Sequence, residues 1–155
     1  MKIRNGQSLF ELVVAIGVVA LILYALVALA TLSVRNASFA RNESEAARLG
    51  QEAVEWLRLE RDKGWDQFIQ NVTVVAVGTT RCVEDTSWSE VSIGDCTPSN
   101  RISSLFEREV VFGTDDTNND AFADRVTAEI SVSWTDGQGY HEIKNSTYFT
   151  DWRVQ

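Results

Sequence analysis

The first pattern along the chain is an apolar run near its start. Residues 12–34 include no charged residue, although Glu11 stands immediately before them. At about 1.5 Å per helical residue, such a run is long enough to cross the roughly 30 Å apolar core of a bilayer. It is longer than the apolar core of a usual signal peptide, about 7–15 residues, and no small-x-small cleavage motif follows it. The run predicts a retained transmembrane helix.

Between residues 35 and 63 the pattern changes, because charged and small residues now separate the apolar ones. The apolar positions follow the spacing of one helical face; they are Phe39, Ala46, Leu49, Ala53, Val54 and Leu57. No proline interrupts this stretch, and Gly64 supplies a helix stop. The sequence predicts one helix from about Ser8 to about Lys63, with a hydrophobic segment at 7–34 and an amphipathic continuation at 35–63.

Beyond residue 64 apolar and polar positions alternate, as they do in strands with one buried face. The clearest alternation covers 126–134, and a turn at 136–139 leads to a returning segment at 140–149. Weaker strand patterns occupy 71–78, 88–93 and 106–112. The sequence therefore predicts an α+β fold, in which the long N-terminal helix packs on an antiparallel sheet of four to five strands. Residues 64–155 would form one globular, β-rich head.

The charges are distributed unevenly between these parts. The chain has 14 basic and 22 acidic residues, of which Lys2, Arg4 and Glu11 precede the apolar run, so residues 35–155 carry 12 basic and 21 acidic ones. An acidic surface repels phosphate backbones, which makes nucleic acid an unlikely partner. The basic residues at the N-terminus predict that this end stays in the cytoplasm and that the head lies outside.

The two cysteines, Cys82 and Cys96, both follow the apolar run. In an exported head the expected arrangement is a disulfide closing a short loop, and the alternative is two buried or free thiols. Catalytic patterns are missing: His141 is the single histidine, and no glycine-rich phosphate loop occurs. We therefore expect a protein that is not an enzyme.

A run of oxygen-bearing side chains lies between two strand patterns. They alternate with other residues as calcium ligands do, at Asp116, Asn118, Asp120 and Asp124. Ala121 stands where an EF-type loop has glycine, and Thr127 stands where it has a bidentate glutamate. Two interpretations stay open, a calcium-binding loop and a solvated acidic hairpin loop without any cofactor.

The start of the chain carries a family resemblance. Gly6 is followed by Gln7-Ser8-Leu9-Phe10-Glu11 and then by the apolar run. This resembles the class III signal of type IV pilins and pseudopilins, which has a short basic leader ending in glycine, a glutamate at the fifth mature position and an apolar helix. Two positions depart from the usual pattern: Gln7 replaces the common aromatic or methionine, and Ala28 replaces a frequent proline.

The resemblance implies how the protein is processed and placed. Residues 1–6 would be a leader peptide that prepilin peptidase removes between Gly6 and Gln7, and the new amine of Gln7 would be N-methylated. The chain would be a single-pass protein of the cytoplasmic membrane before assembly. Glu11 would then pair with a positive N-terminus in an extracellular or periplasmic filament, which gives a membrane-buried carboxylate a partner.

The resemblance also implies a structural role. The end of the chain, residues 145–152, resembles the closing strand of minor pilins and pseudopilins of the PilV-like and GspI-like kind. The expected function is a minor pilin or pseudopilin of a type IV pilus-like or type II secretion filament, with other subunits and an inner-membrane assembly platform as partners. The alternative is a surface adhesin whose head binds an extracellular ligand through residues 79–100.

Overall fold

The computed structural model describes residues 7–116 and 123–151. The chain divides into two compact units, residues 1–41 and residues 42–155. The first unit is helical throughout its described part, because it belongs to helix α1 (Gln7–Lys63). The prediction of one uninterrupted helix ending at Lys63 is confirmed.

The second unit joins the C-terminal part of α1 to a short helix and a sheet. Helix α2 (Trp65–Thr73) follows α1 after Gly64 alone, whose carbonyl accepts a hydrogen bond from the Phe68 N–H at 3.0 Å. The strands are β1 (Thr80–Val83), β2 (Val91–Ile93), β3 (Phe106–Asp115), β4 (Arg125–Asp136) and β5 (Gly139–Thr150). A single 3-10 turn, Trp88–Glu90, precedes β2.

These strands form one antiparallel sheet in the order β2-β1-β3-β4-β5. The predicted α+β fold, with a long helix on an antiparallel sheet, is therefore confirmed. In β3 and β4 every second side chain is buried, which places one face of the sheet against the helices. The core contains Ala53, Trp56 and Leu57 of α1, Phe68 and Val72 of α2, and sheet residues such as Val110, Phe112, Ile130 and Phe149.

Gly50 marks a close approach between α1 and the sheet. A Cβ atom added at Gly50 would lie 2.5 Å from Nδ2 of Asn145 and 3.7 Å from Cγ2 of Val132. Any larger residue would need space that the inner face of β4 and β5 occupies. A glycine inside a helix costs about 1 kcal/mol relative to alanine, and here that cost permits tight helix-to-sheet packing.

One strand prediction was wrong. The valine-rich segment 71–78 was expected to be a strand, but it contains the end of α2 and an irregular connection to β1. The reason lies in Arg81, whose buried guanidinium donates hydrogen bonds to the carbonyls of Asn71, Val72 and Val75. These carbonyls are taken by a side chain and are not free for a sheet ladder. The weaker pattern at 88–93 holds a strand over Val91–Ile93 alone.

Candidate functional site

The candidate site of assembly is the apolar part of α1. Its large apolar side chains are all exposed, from Leu9 at 67% to Val34 at 67%, because nothing within their own unit covers them. A helix that is hydrophobic on all sides is stable where lipid or other helices surround it. By length and composition α1 can cross a membrane. Length and composition therefore support the prediction of a helix near the N-terminus that can span a membrane.

Glu11 is the one carboxylate in this part of the helix. It lies one turn after Gln7, the first described residue of α1, and its side chain is exposed. Arg35, the next charged residue, is 24 positions further on, about 36 Å along a helix. None of the ion pairs among the described residues includes Glu11. A carboxylate held inside the apolar core of a bilayer costs about 2–3 kcal/mol, and no basic side chain follows within the apolar part of this helix to offset that cost.

Gly6, the residue before the predicted cleavage, lies outside the described residues. Gln7 is described only as the first residue of α1. Cleavage between them and N-methylation of Gln7 therefore stay predictions.

The predicted disulfide is present between Cys82 and Cys96, with their Cα atoms 4.9 Å apart. It joins β1 to the segment that follows β2. The backbone N–H of Cys96 also donates to the Glu109 carboxylate of β3 at 2.8 Å. The segment that the disulfide closes contains Trp88, whose ring lies 4.9 Å from that of Trp56 and whose Nε1 donates to Glu60 at 2.9 Å. The disulfide therefore closes the segment whose Trp88 packs against Trp56 of α1.

The candidate calcium loop is described only at its ends. Asn118 and Asp120 lie outside the described residues. At the base of the loop the Asp124 N–H donates to the Asp115 carbonyl at 3.0 Å. Within residues 7–116 and 123–151 no group of three or more metal-ligating side chains comes together. The choice between a calcium loop and a solvated acidic loop stays a prediction.

His141 lies in a small polar cluster near the β4–β5 turn. Its Nε2 is 3.0 Å from Oδ1 of Asp136, and its ring stacks on Trp134 at 5.1 Å between centroids. A hydrogen bond from the Gln138 N–H, together with the His141 side chain, lowers the pKa of Asp136 from its ordinary value. Trp134 of β4 and His141 of β5 are partners in the strand register, so the cluster links the two strands beside their turn.

Sequence reasoning missed two buried arginines, Arg81 and Arg108, which are 2% and 1% exposed. Arg108 donates through Nη1 to the Leu49 carbonyl of α1 at 3.0 Å and through Nε to the Val83 carbonyl of β1 at 3.3 Å. Burial lowers the pKa of both guanidinium groups, yet arginine stays charged in proteins. The alternation in β3 did indicate burial at Arg108, because position 108 lies on the same face of the strand as the core-facing positions 106 and 110.

A groove along one face of α1 holds about 680 Å³. Carboxylates dominate its lining, but each has a basic neighbour on the same helix, as Glu55 has in Arg58 at 2.6 Å and Glu60 in Lys63 at 2.5 Å. Exposed pairs of this kind contribute little free energy. The groove therefore offers neither an activated acid nor a strong cation site.

In the comparisons with known proteins, no family model, curated protein or solved structure matches this chain.

Proposed function

We propose that this chain is a structural filament subunit, a minor pilin or pseudopilin of a type IV pilus-like or type II secretion filament. The observation that carries the proposal is the exposed apolar helix, whose start holds one carboxylate, Glu11, that forms no ion pair with another described residue. A membrane anchor alone explains the apolar residues and leaves Glu11 unexplained. A bundle of such helices explains both, because a neighbouring N-terminus can neutralise the glutamate.

Assembly would proceed in three steps. Prepilin peptidase removes residues 1–6 on the cytoplasmic side, and the amine of Gln7 is methylated. The inner-membrane assembly platform then receives the mature chain, whose Glu11 pairs with the charged amine of an adjacent subunit. The apolar residues from Leu12 to Val34 leave lipid and pack against neighbouring helices, while the acidic head stays outside.

The first experiment tests processing. The full chain is co-expressed with a prepilin peptidase, and the intact mass and N-terminal peptide of the membrane-extracted product are measured. We expect a chain that begins at Gln7 and carries one added methyl group. A Gly6→Leu variant serves as the control and should keep its leader. An uncut Met1 in the presence of an active peptidase, or cleavage beyond Val34, would remove the proposal.

The second experiment tests the role of Glu11. Glu11→Gln keeps the size of the side chain and removes its charge, so membrane insertion should persist while incorporation into filaments falls. Incorporation is measured as the share of the chain found in the sheared filament fraction. Glu43→Gln, at an exposed position outside the apolar segment, is the matched control. Equal incorporation of the two variants would show that Glu11 has no role in assembly.

A further inference from the structure

The disulfide lies on the face of the sheet that points away from the helices. Cys82 of β1 is the strand partner of Glu109 of β3, and directly opposite residues carry their side chains on the same face. The neighbour of Glu109 in β3, Val110, faces the core, so Glu109 and Cys82 share the outer face. Cys82 is nevertheless fully buried. Another part of the chain must therefore cover it.

The covering segment consists of residues 94–100, which follow β2. The carbonyl oxygen of Asn100 lies 3.3 Å from Sγ of Cys82. At the other end of the segment, the Gly94 N–H donates to the Thr80 carbonyl of β1 at 2.8 Å. A reagent can reach the Cys82 sulfur only when the covering segment moves away from the sheet.

Glu109 holds the middle of the covering segment. Its carboxylate accepts a hydrogen bond from the Cys96 N–H at 2.8 Å, and Sγ of Cys96 lies 3.3 Å from the Arg108 carbonyl oxygen. A hydrogen bond to a carboxylate is stronger than one between neutral groups. Glu109, together with Asp95 next to Cys96 in the chain, also places negative charge beside the disulfide. These carboxylates repel an attacking thiolate, which is an anion.

The two sulfurs of the disulfide resist exchange for different reasons. Attack on Cys82 is blocked, because the residue is fully buried. Cys96 is only half-buried, but attack on its sulfur would release Cys82 as a thiolate. A thiolate in a buried place is disfavoured and is therefore a poor leaving group. Exchange at either sulfur is slow while the covering segment is in place.

We propose that the disulfide forms before the covering segment closes, by exchange with an oxidised dithiol oxidoreductase, and that closure then removes the bond from exchange. One cysteine thiolate of the head attacks the disulfide of the oxidoreductase, which breaks, and a mixed disulfide forms. The other thiolate attacks the mixed disulfide, forms the Cys82–Cys96 bond and releases the oxidoreductase as a dithiol. In net terms, two electrons and two protons pass from the head to the oxidoreductase. The inference rests on the proposed function only because it needs an exported head.

Reduction of the folded chain tests the closure. The full chain with its disulfide is incubated with dithiothreitol in detergent micelles, and thiols labelled with maleimide are counted by intact mass. We expect the folded chain to be reduced at least about tenfold more slowly than the same chain unfolded in urea. Equal rates for the folded and the unfolded chain would overturn the inference.

Variants of Glu109 test what holds the covering segment. Glu109→Ala removes the acceptor and the charge and should speed up reduction of the folded chain about tenfold, whereas Glu109→Gln keeps an acceptor and should have a smaller effect. Glu129→Ala removes an exposed carboxylate from the neighbouring strand β4 and is the matched control. Each rate is corrected for the unfolded fraction, which the urea unfolding curve of the variant gives. Equal corrected rates for Glu109→Ala and Glu129→Ala would contradict the role of Glu109.

The order of events is tested by the time at which an oxidant is added. Reduced chain unfolded in urea is diluted into micelles, and oxidised glutathione is added either at once or after the tryptophan fluorescence has become constant. We expect the bond to form at least about tenfold faster after early addition. A reduced chain that stays unfolded until late addition, and folds only once it is oxidised, also supports the proposed order. Equally fast oxidation of a reduced chain that has already folded would overturn it.

These measurements and the processing experiment can fail separately, because cleavage at Gln7 does not involve the cysteines of the head. An uncut chain whose disulfide is protected refutes the filament subunit and supports the closure. A chain cut at Gln7, whose folded head is reduced as fast as the unfolded one, refutes the closure and leaves the filament proposal standing.

Discussion

Removal of the disulfide should weaken the head by a predictable amount. Cys82 and Cys96 are separated by 14 positions and close a loop of about 15 residues, for which the chain-entropy model gives roughly 3 kcal/mol. Alanine is the appropriate substitute, because Cys82 is fully buried and a serine hydroxyl would need a new hydrogen-bond partner. We expect the Cys82→Ala/Cys96→Ala double variant to lose about 3 kcal/mol of unfolding free energy.

The assay is urea unfolding of the full chain in detergent micelles, followed by tryptophan fluorescence. Trp88 belongs to the closed loop and lies against Trp56, so the signal reports the part that the disulfide holds. With a slope of about 2 kcal/mol per molar urea, typical of a small domain, the midpoint should fall by roughly 1.5 M. The wild-type chain under reducing conditions should shift by a similar amount.

A midpoint shift below about 0.3 M would refute this reasoning. It would mean that the denatured head keeps the loop closed without a covalent bond, or that the folded head is relieved of strain. A change in slope would instead indicate a different denatured state.

Two further predictions concern the helix contact and the turn cluster. Gly50→Ala should lower the free energy of unfolding by about 1–3 kcal/mol, because the added Cβ meets the side chain of Asn145. Asn145→Ala in the same chain should recover most of this loss, and a double-mutant cycle measured by urea unfolding tests it. The pKa of Asp136 is lower in the folded head than in the unfolded chain, so its contribution is present above the unfolded value and is lost as pH falls through the folded one. Asp136→Asn should therefore flatten the decline of the urea midpoint below about pH 4, and an unchanged acid decline would contradict the role given to Gln138 and His141.

Several features followed from local chemistry and could be predicted. A helix with no proline between Ser8 and Lys63 satisfies its own backbone hydrogen bonds, and its end follows from Gly64 directly after it. The β4–β5 hairpin follows from alternation and a turn of glycine and aspartate. Because the chain has only two cysteines, an oxidised head allows one disulfide, between Cys82 and Cys96.

The arginine contacts could not be predicted, because they depend on how the helices and the sheet pack together. Arg108 reaches the Leu49 carbonyl across 59 positions, and no local pattern specifies that a guanidinium takes a core position. Arg81 removes the carbonyls of Asn71 and Val72 from any ladder, which turned a segment with strand propensity into a helix end and a loop. Tertiary hydrogen bonds outweighed intrinsic β propensity at that point.

The sequence by itself determined the long helix, its apolar half, the position of Glu11 and the class of fold, since each depends on periodicity or on the presence of charge over neighbouring residues. Only the tertiary structure decided that two charged guanidinium groups lie inside the head and that valines lie outside it. The physical reason is that a buried guanidinium needs acceptors for its N–H groups, and Arg81 and Arg108 find them on carbonyls that packing brings beside them. Which carbonyls lie within reach depends on the assembled packing of helix against sheet.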